Sequence, residues 1–507
     1  MIKKLISPLV WALLLVILGG CAPLRIDPSA APAAGDAAAN AKPAPSERTG
    51  IGASAGAQNE AAGAAGVGDP LFPQSGNGGY DVQHYALALT WDEASGAIEG
   101  VANIAAVAEQ PLTQFNLDLN GLEVDEITVN DVAAEFSRVD SELTVQLADA
   151  EALAAADPFS ITVVYHGEPQ PIEFALLDEI GWLDYRGGVV VVSEPNGAAS
   201  WYPVNDHPSD KASYHFTVTV PKPYVVVANG AAAKPVADGN MLTYEFDAPE
   251  PIASYLVTIS IGDFWIQEEL GPDGVLISNY FSEGVNSGQL SAFDKQAEMI
   301  EVFTQAFGPY PFEVAGAIVI DAPISFALET QTRSIYGPFM TGENVVAHEM
   351  AHQWFGDSVT PASWEDIWLN EGFATYGELI WAVHENGEEW GQQMVRQWYR
   401  SRAGEDRVGL AKPPGVVSPA SMFNRVVYER GALTLHALRM KVGDDPFFEI
   451  LQSYAERFAY GNATTADFIA VSEEISGQEL DDLFNAWLYE DPLPDIPEAG
   501  LFRADFQ

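Results

Sequence analysis

The spacing of apolar residues changes near residue 271, and this change restricts the chain to a fold with two unlike parts. Before it, apolar and polar residues alternate, as from Phe216 to Val220, and turn pairs such as Asn229-Gly230 separate the alternating segments. Alternation of this kind turns one face of a strand towards a core and the other towards solvent. Turn dipeptides between such segments are typical of hairpins. We therefore predict an antiparallel β domain over residues 69–271.

After residue 271 the apolar residues recur at intervals of three and four. This spacing runs through Leu290, Phe293, Ala297, Ile300, Phe303 and Phe307, and the segment from Leu480 to Leu488 repeats it near the end of the chain. Such spacing places apolar side chains along one face of a helix. The second part of the chain is therefore predicted to be mostly helical.

The fold class that follows is multidomain, with a β domain before an α+β domain. Besides the helical segments, a short apolar run at Ile318–Ile320 predicts a strand in the second part. We place this second domain at residues 272–494 and a C-terminal tail at residues 495–507.

The first residues of the chain have the pattern of an export signal. Residues 1–20 contain two lysines near the start, an apolar run from Leu9 to Leu18 and two glycines, after which Cys21 follows. The run is shorter than a membrane-spanning helix requires. The pattern resembles a bacterial lipoprotein signal, so we expect residues 1–20 to be removed and Cys21 to carry the lipid. An ordinary secretory signal or an uncleaved anchor is the alternative.

A linker follows this signal. Residues 21–68 are rich in alanine, glycine, proline and serine, a composition that predicts a disordered tether. No later segment contains the 18 or more consecutive apolar residues of a membrane-spanning helix. We therefore expect an extracytoplasmic lipoprotein of the bacterial cell envelope, tethered to the membrane by its lipid.

The charge of the chain excludes several classes of function. It has 23 Lys and Arg against 72 Asp and Glu, a net charge of −49. Because affinity for phosphate backbones comes from lysine and arginine, we predict no nucleic-acid partner. A single cysteine excludes an intrachain disulfide and dithiol redox chemistry. The acidity is interpreted as a solvated surface, with electrostatic steering of cationic ligands as the alternative.

Two histidines in the second part have the spacing of metal ligands. His348 and His352 are four residues apart, and Glu349 follows the first of them. On a helix, side chains four apart lie on the same face, so both imidazoles can bind one ion. Glu349 would then lie beside them, where it can act on a metal-bound water.

A catalytic zinc site needs a third protein ligand and leaves its fourth position to water. Glu371 is the best candidate, because it lies nineteen positions beyond His352 at the start of another helical segment. Asp357, Glu365 and Asp366 compete on sequence grounds. Asp357 directly follows a glycine at the expected end of the first helix, where its carboxylate is badly aimed.

Segments outside the metal motif resemble one protein family. Trp368–Tyr376 is similar to the family's second active-site helix, and Tyr428–Gly431 to its tyrosine motif. Gly79–Tyr85 and Trp201–Pro208 resemble segments of its β domain. The chain is identified on these residues as a member of the aminopeptidase N family of gluzincin zinc metallopeptidases, over residues 69–494. The resemblance implies a thermolysin-like catalytic domain with one zinc ion per chain.

The same resemblance assigns roles to residues of the active site. It implies that Glu349 is the general base and that the hydroxyl of Tyr428 stabilises the oxyanion of the reaction. It also implies that Glu194 and Glu329 bind the α-ammonium group of a peptide substrate.

A residue behind the metal ligands is a further hypothesis. Metal-bound histidines usually donate their second ring nitrogen to a carboxylate or a carbonyl oxygen. Glu378 lies seven residues after Glu371 and therefore on the same helix face, so we assign it this role, against the alternative of a solvated glutamate. The remaining six histidines are interpreted as structural or surface residues: His84, His166, His207, His215, His384 and His436.

We conclude from the sequence that the protein is a zinc-dependent aminopeptidase, with peptides that have a free N-terminus as substrates. Two features leave alternatives open. Phe326 and Thr330 stand where the family has glycine and asparagine, and larger relatives have a C-terminal domain that walls the cleft. One alternative is therefore a zinc endopeptidase or broad peptidase with an open cleft, unless a partner subunit closes it. The other is a catalytically inactive, peptide-binding lipoprotein. The oligomeric state is not predicted.

Overall fold

A computed structural model of the chain describes residues 61–148, 151–339, 341–407, 409 and 412–506. The predicted signal peptide, Cys21 and most of the predicted tether lie outside these residues. Within the described part, no helix is both long and apolar enough to cross a bilayer.

Strands dominate the described chain up to residue 282. The strands are, in chain order, β1 Tyr80–Trp91, β2 Ile98–Ala108, β3 Gln114–Asp118, β4 Glu123–Val129, β5 Val132–Ala133, β6 Glu135–Val139, β7 Glu142–Gln146, β8 Pro158–Gly167, β9 Ile172–Phe174, β10 Asp178–Tyr185, β11 Gly188–Val192, β12 Lys211–Pro221, β13 Val225–Ala228, β14 Ala231–Ala232, β15 Val236–Asp238, β16 Met241–Ala253, β17 Ile259–Gly262, β18 Phe264–Leu270, β19 Leu276–Ser282, β20 Val314–Val319, β21 Ala327–Leu328, β22 Ser334–Tyr336, β23 Val359–Pro361 and β24 Gly461–Ala463.

Helices make up most of the remainder. The α-helices of the described residues are α1 Ser287–Leu290, α2 Gln296–Phe307, α3 Glu343–His352, α4 Trp368–Asn386, α5 Glu388–Arg407, α6 Arg425–Val442, α7 Asp444–Arg457, α8 Thr465–Ser476 and α9 Asp481–Leu488.

The first part is built on a large twisted sheet in the order β14-β16-β12-β1-β2-β8-β4-β5, with β15 beside β16. As the alternation predicts, Phe216, Val218 and Val220 of β12 are buried, and the threonines between them are half-buried. Two smaller sheets, β13-β17-β11-β10-β9 and β3-β7-β6, complete this part.

The β domain predicted to be antiparallel contains one parallel strand pair. The central strands β1 and β12 run parallel, with Leu87 opposite Phe216. A long excursion of the chain separates these strands, and only adjacent strands joined by tight turns must be antiparallel. Every other strand pair of the large sheet is antiparallel within the described residues.

The second part begins earlier than the predicted boundary between residues 271 and 272. β18 pairs with β19 along its full length, and both belong to the sheet β18-β19-β20-β22-β21. The boundary therefore cuts a hairpin that belongs entirely to the second part. In β18 three apolar residues are followed by three polar ones, and nothing in this short segment marks the change of sheet.

The end of the predicted tether is also ordered. Among residues 61–68, Ala62 forms a bridge to Gln114 at the start of β3, and the amide of Gly63 donates to the carbonyl of the same residue. The prediction of disorder is therefore wrong for residues 61–68, because backbone groups of this stretch form hydrogen bonds at the edge of β3.

Candidate active site

The two histidines of the metal motif lie on α3, as their spacing predicts. Both imidazoles are buried, with ring centroids 4.8 Å apart and ring planes at 76°. Glu371 reaches the same point from the first turn of α4. Its Oε2 atom is 3.2 Å from Nε2 of His348 and 3.5 Å from Nε2 of His352.

The second nitrogen of each ring fixes its tautomer. Nδ1 of His348 is 2.9 Å from Oε1 of Glu378, and Nδ1 of His352 is 3.0 Å from the carbonyl oxygen of Phe355. A carboxylate or carbonyl oxygen accepts, so Nδ1 carries the proton in each neutral ring and Nε2 keeps its lone pair. The structure therefore places Glu378 at the position proposed for it behind the ligands.

This donor set fits a zinc ion. Two imidazole nitrogens and one carboxylate oxygen converge within 4.8 Å of one another, which is the three-ligand pattern of catalytic zinc sites. Burial raises the pKa of Glu371, but the adjacent imidazoles of His348 and His352 outweigh burial and lower that pKa to about 2. The carboxylate is therefore ionised, as a ligand must be.

The competing ligands named from the sequence do not join this group. Asp357 is fully buried, and neither of its carboxylate oxygens has a hydrogen-bond partner among the described residues. Asp366 accepts a hydrogen bond of 2.6 Å from the hydroxyl of Thr465, and Glu365 is exposed.

Glu349 is buried beside the ligands. A carboxylate oxygen of Glu349 lies within 4.8 Å of ligand atoms of Glu329 and His352. Burial raises the pKa of Glu349 to about 8, and the histidines partly oppose that rise. A carboxylate with a raised pKa is a stronger base, and a bound divalent cation would favour its ionised form.

Glu194 and Glu329 come to the same place from different elements. Glu194 lies two residues after β11, and Glu329 directly follows β21. Oxygens of Glu194, Glu329 and Glu371 lie within 4.8 Å of one another. One oxygen of Glu194 and one of Glu329, in each case Oε1, are buried without a hydrogen-bond partner among the described residues. Burial, followed by the charge of Glu329, raises the pKa of Glu194 well above its usual range.

Tyr428 lies near the start of α6, with its ring stacked against His348 at a centroid distance of 5.8 Å. Burial, with the charge of Glu371 adding to it, raises the pKa of the Tyr428 phenol well above its usual range. The phenol therefore stays protonated and can donate a hydrogen bond.

These residues line a cleft of about 310 Å³. Its apolar walls come from Leu177, Phe326, Phe339 and Phe423. A larger hollow of about 480 Å³ lies on the open face of the nine-stranded sheet, and none of the proposed catalytic residues lines it.

Sequence reasoning identified Phe326 in this wall but missed the others. Leu177 comes from the turn between β9 and β10, and Phe423 from the segment before α6, where its ring packs 6.3 Å from that of Phe174. Neither residue belongs to a motif, so no signal in the sequence identifies it. Thr330, the second departure from the family pattern, is buried, and its hydroxyl donates to the carbonyl of Arg333.

The remaining six histidines lie away from the cleft, in agreement with their interpretation. Five have ring nitrogens near polar side chains, and His436 is half-buried, with its pKa lowered by burial to about 4. The five pairs are His84 with Ser213, His166 with Asp125, His207 with Asp69, His215 with Asp247 and His384 with Glu298.

Comparison with known proteins gives consistent results for both parts of the chain. The family profile described as the Peptidase family M1 domain matches residues 291–487, and the Peptidase M1 N-terminal domain matches residues 81–256. Aminopeptidase M1-B of Oryza sativa subsp. japonica is 28% identical over 452 residues, 81% of this chain and 50% of the relative. Leucyl aminopeptidase of Saccharolobus solfataricus is 26% identical over 441 residues, 82% of this chain and 54% of the relative. The chain thus spans about half the length of these relatives.

Solved structures match over nearly their whole length. The M1 zinc metallopeptidase from Deinococcus radiodurans is 32% identical, with a TM-score of 0.79, over 85% of this chain and 98% of that one. A mutant of that enzyme bound to the substrate Tyr-Ser-Ala has a TM-score of 0.78 and the same identity.

Proposed function

Because the chain belongs to peptidase family M1, we propose that it is a zinc-dependent aminopeptidase that removes residues from the free N-terminus of peptides. Membership implies a metallopeptidase site, and the set of His348, His352 and Glu371 fits the zinc ion that such a site uses. One observation supports exopeptidase action in particular. Glu194 and Glu329 lie beside the ligand set, and the Oε1 atom of each is buried without a hydrogen-bond partner in the described part of the chain.

These two oxygens can bind the α-ammonium group of a substrate. A buried acceptor without a partner costs free energy until a donor reaches it, and an ammonium group has three donors. Because both carboxylates lie next to the ligand Glu371, a bound amine would be held close to the metal. An amine held there would favour cleavage of the first peptide bond of the substrate.

The remaining residues supply the chemistry of hydrolysis. When bound, zinc acts as a Lewis acid that makes water nucleophilic near neutral pH and polarises a carbonyl group. Glu349 accepts a proton from the attacking water and returns it to the leaving amine. Tyr428 donates a hydrogen bond from its hydroxyl to the oxygen on which negative charge develops. Glu378 and the carbonyl of Phe355 hold the two imidazoles in the required tautomer.

The test uses the purified full-length protein loaded with zinc, and one mixed peptide in a free and an N-acetylated form. We expect mass spectrometry to detect loss of one residue at a time from the free peptide only. Glu349→Gln provides the inactive control. Internal fragments from both peptides would instead indicate an endopeptidase, and no hydrolysis despite stoichiometric zinc would indicate a peptide-binding protein.

The location of the protein is part of the proposal and depends on the first residues alone. Cys21, after the apolar run and two glycines, supports a lipid-anchored protein outside the cytoplasm. We expect Cys21→Ala to move the protein from the membrane fraction to the soluble fraction of the cell envelope. Mass spectrometry of the mature N-terminus without a lipid would contradict this location.

A further inference from the structure

Two helices that carry active-site residues touch through their backbones. They are α4, at Gly372, and α6, at Gly431. A Cβ atom built on Gly372 would lie 2.9 Å from both the Cα and the carbonyl carbon of Gly431. One built on Gly431 would lie 2.9 Å from the Cα of Gly372. Unbonded carbon atoms normally stay about 3.5 to 4.0 Å apart, so an alanine at either position forces the helices apart.

This contact lies between two groups of the proposed mechanism. Gly372 directly follows the metal ligand Glu371. Gly431 lies three residues after Tyr428 and therefore on the same face of α6. We propose that the Gly372–Gly431 contact positions the Tyr428 hydroxyl relative to the metal ligands, which makes Gly431 a positioning residue of the reaction. The expected effect on kcat rests on the proposed aminopeptidase function. The expected change in the separation of α4 and α6 does not.

Other faces of α6 are held in place by Glu429 and Arg430, so the helix cannot move freely when the contact is disturbed. Arg430 is fully buried, and its guanidinium donates to the carbonyl oxygens of Ala486, Trp487 and Glu490 at the end of α9. Glu429 is held between two arginines, with Arg402 Nε 2.9 Å from its Oε2 and Arg425 Nη2 2.5 Å from its Oε1. An added side chain at Gly431 therefore displaces α4 and α6 relative to each other.

A second glycine of α4 offers a matched comparison. A Cβ atom on Gly377 would lie 2.5 Å from the Cβ of Ala351 on α3. That contact joins α4 to the helix that carries His348 and His352. An alanine there disturbs the geometry of the ligands, whereas an alanine at Gly431 disturbs the distance from the ligands to Tyr428.

The experiment compares three alanine variants, each made alone and combined with Tyr428→Phe. They are Gly431→Ala, Gly377→Ala and, as a control in open space on α5, Gly404→Ala, whose new Cβ meets nothing within 4 Å. Zinc content, thermal midpoint, kcat and KM are measured for each. A displacement of about 1 Å can reduce a rate about 100-fold, so we expect Gly431→Ala to lower kcat by about 10- to 100-fold.

The pattern of effects distinguishes positioning from general destabilisation. We expect Gly431→Ala to keep one zinc per chain and a KM within about threefold of the wild type. In the Tyr428→Phe background it should lower kcat by less than about threefold, because the group that it displaces is already gone. Gly377→Ala should lower zinc affinity and act equally in both backgrounds, and Gly404→Ala should change nothing.

Two results would overturn the inference. One is a loss in kcat for Gly431→Ala that is the same with and without the Tyr428 hydroxyl. The other is a crystal structure of that variant in which α4 and α6 keep their separation. That structure would overturn the inference even if the wild type hydrolyses no peptide. Should Gly431→Ala not fold, Arg430→Lys, which weakens the attachment of α6 to α9, must show the same dependence on Tyr428.

Discussion

At the scale of single residues, the cleft contains more carboxylates than the protein itself neutralises. Glu194, Glu329, Glu349 and Glu371 are all buried around it. The two imidazoles lower the pKa of Glu371, whereas burial raises the pKa of the other three carboxyl groups. Buried carboxylates that are ionised must be paired with cations. A metal ion and the ammonium group of a substrate are the two cations that the proposed function provides.

Replacement of Glu329 by glutamine tests the ammonium site. Glu329→Gln keeps the shape of the side chain but removes its charge, so we expect KM for peptides with a free amine to rise about 10- to 100-fold, with a smaller change in kcat. Steady-state kinetics with a free peptide series measures this. Glu245→Gln, at an exposed position of β16, is the control. An unchanged KM would show that Glu329 does not bind the amine.

Replacement of Glu378 by glutamine tests its role behind the ligands. The Glu378 carboxylate orients the His348 ring through Nδ1 and makes the ring more basic. Without it, we expect zinc affinity to fall about 10- to 100-fold. Competition with a chelator measures the affinity, and Glu389→Gln, exposed on α5, is the control. Equal zinc affinity in Glu378→Gln and wild type would refute this role.

At the scale of elements, α4 is the helix on which the site is assembled. It packs against α3, α5 and α6. It carries Glu371 and Glu378 on one face and approaches its neighbours through Gly372 and Gly377. The side chain of Asp69, which lies 294 residues before Ser363, holds the chain that leads into α4.

Asp69 fixes this connection through several hydrogen bonds. Its Oδ1 accepts from the amide of Leu71, and its Oδ2 accepts from the Ser363 hydroxyl and the Trp364 amide, while Nε2 of His207 is 3.3 Å from the same oxygen. Burial raises the pKa of Asp69, but the hydrogen bonds, that of His207 foremost, outweigh burial and hold it well below its usual value.

Asp69→Asn is therefore expected to lower the free energy of unfolding. A carboxyl whose pKa is lower in the folded state stabilises the fold above its unfolded pKa of about 4, and this stabilisation is lost as the pH falls further. We expect a loss of about 1 to 3 kcal/mol at pH 7, the same loss at pH 5 and a smaller one at pH 3. Urea unfolding at the three pH values measures it. A difference that grows as the pH falls would contradict the assignment.

At the scale of the whole molecule, the two parts of the chain are joined by buried polar contacts. Arg333 of the second part is fully buried and donates to the carbonyl oxygens of Ala228 and Gly230. In return, the ammonium group of Lys211 on β12 donates to the carbonyls of Asp357 and Ser358, just after α3. One apolar core runs through both parts. The catalytic part therefore depends on the β part for its folding as well as for Glu194.

We expect the protein to unfold in a single cooperative transition. Separation of the two parts would expose the shared core and remove the two carbonyl acceptors of the Arg333 guanidinium that belong to the β part, so we expect neither part to be stable alone. Differential scanning calorimetry should give one transition, with the calorimetric enthalpy equal to the van't Hoff enthalpy. Two resolved transitions, or a folded fragment that begins at Phe264, would contradict this expectation.

Local spacing in the sequence was sufficient for the parts of the prediction that depend on it. Alternation predicted β12, and the four-residue spacing of His348 and His352 predicted ligands on one helix face. The interval of three and four predicted α9, and also one helix from Leu290 to Phe307, which the structure divides into α1 and α2. These are properties of a few consecutive residues, whose side-chain directions follow from backbone geometry alone.

The tertiary structure alone decided which distant segments meet. It set β1 parallel to β12, moved the start of the second part to Phe264, and brought Leu177 and Phe423 into the cleft. It also placed Gly372 against Gly431. Such contacts depend on how complete elements pack, and packing selects among many pairings that have the same local pattern. The residue types of a metal site could therefore be identified from the sequence, whereas the distances within that site come from the packing of helices and sheets.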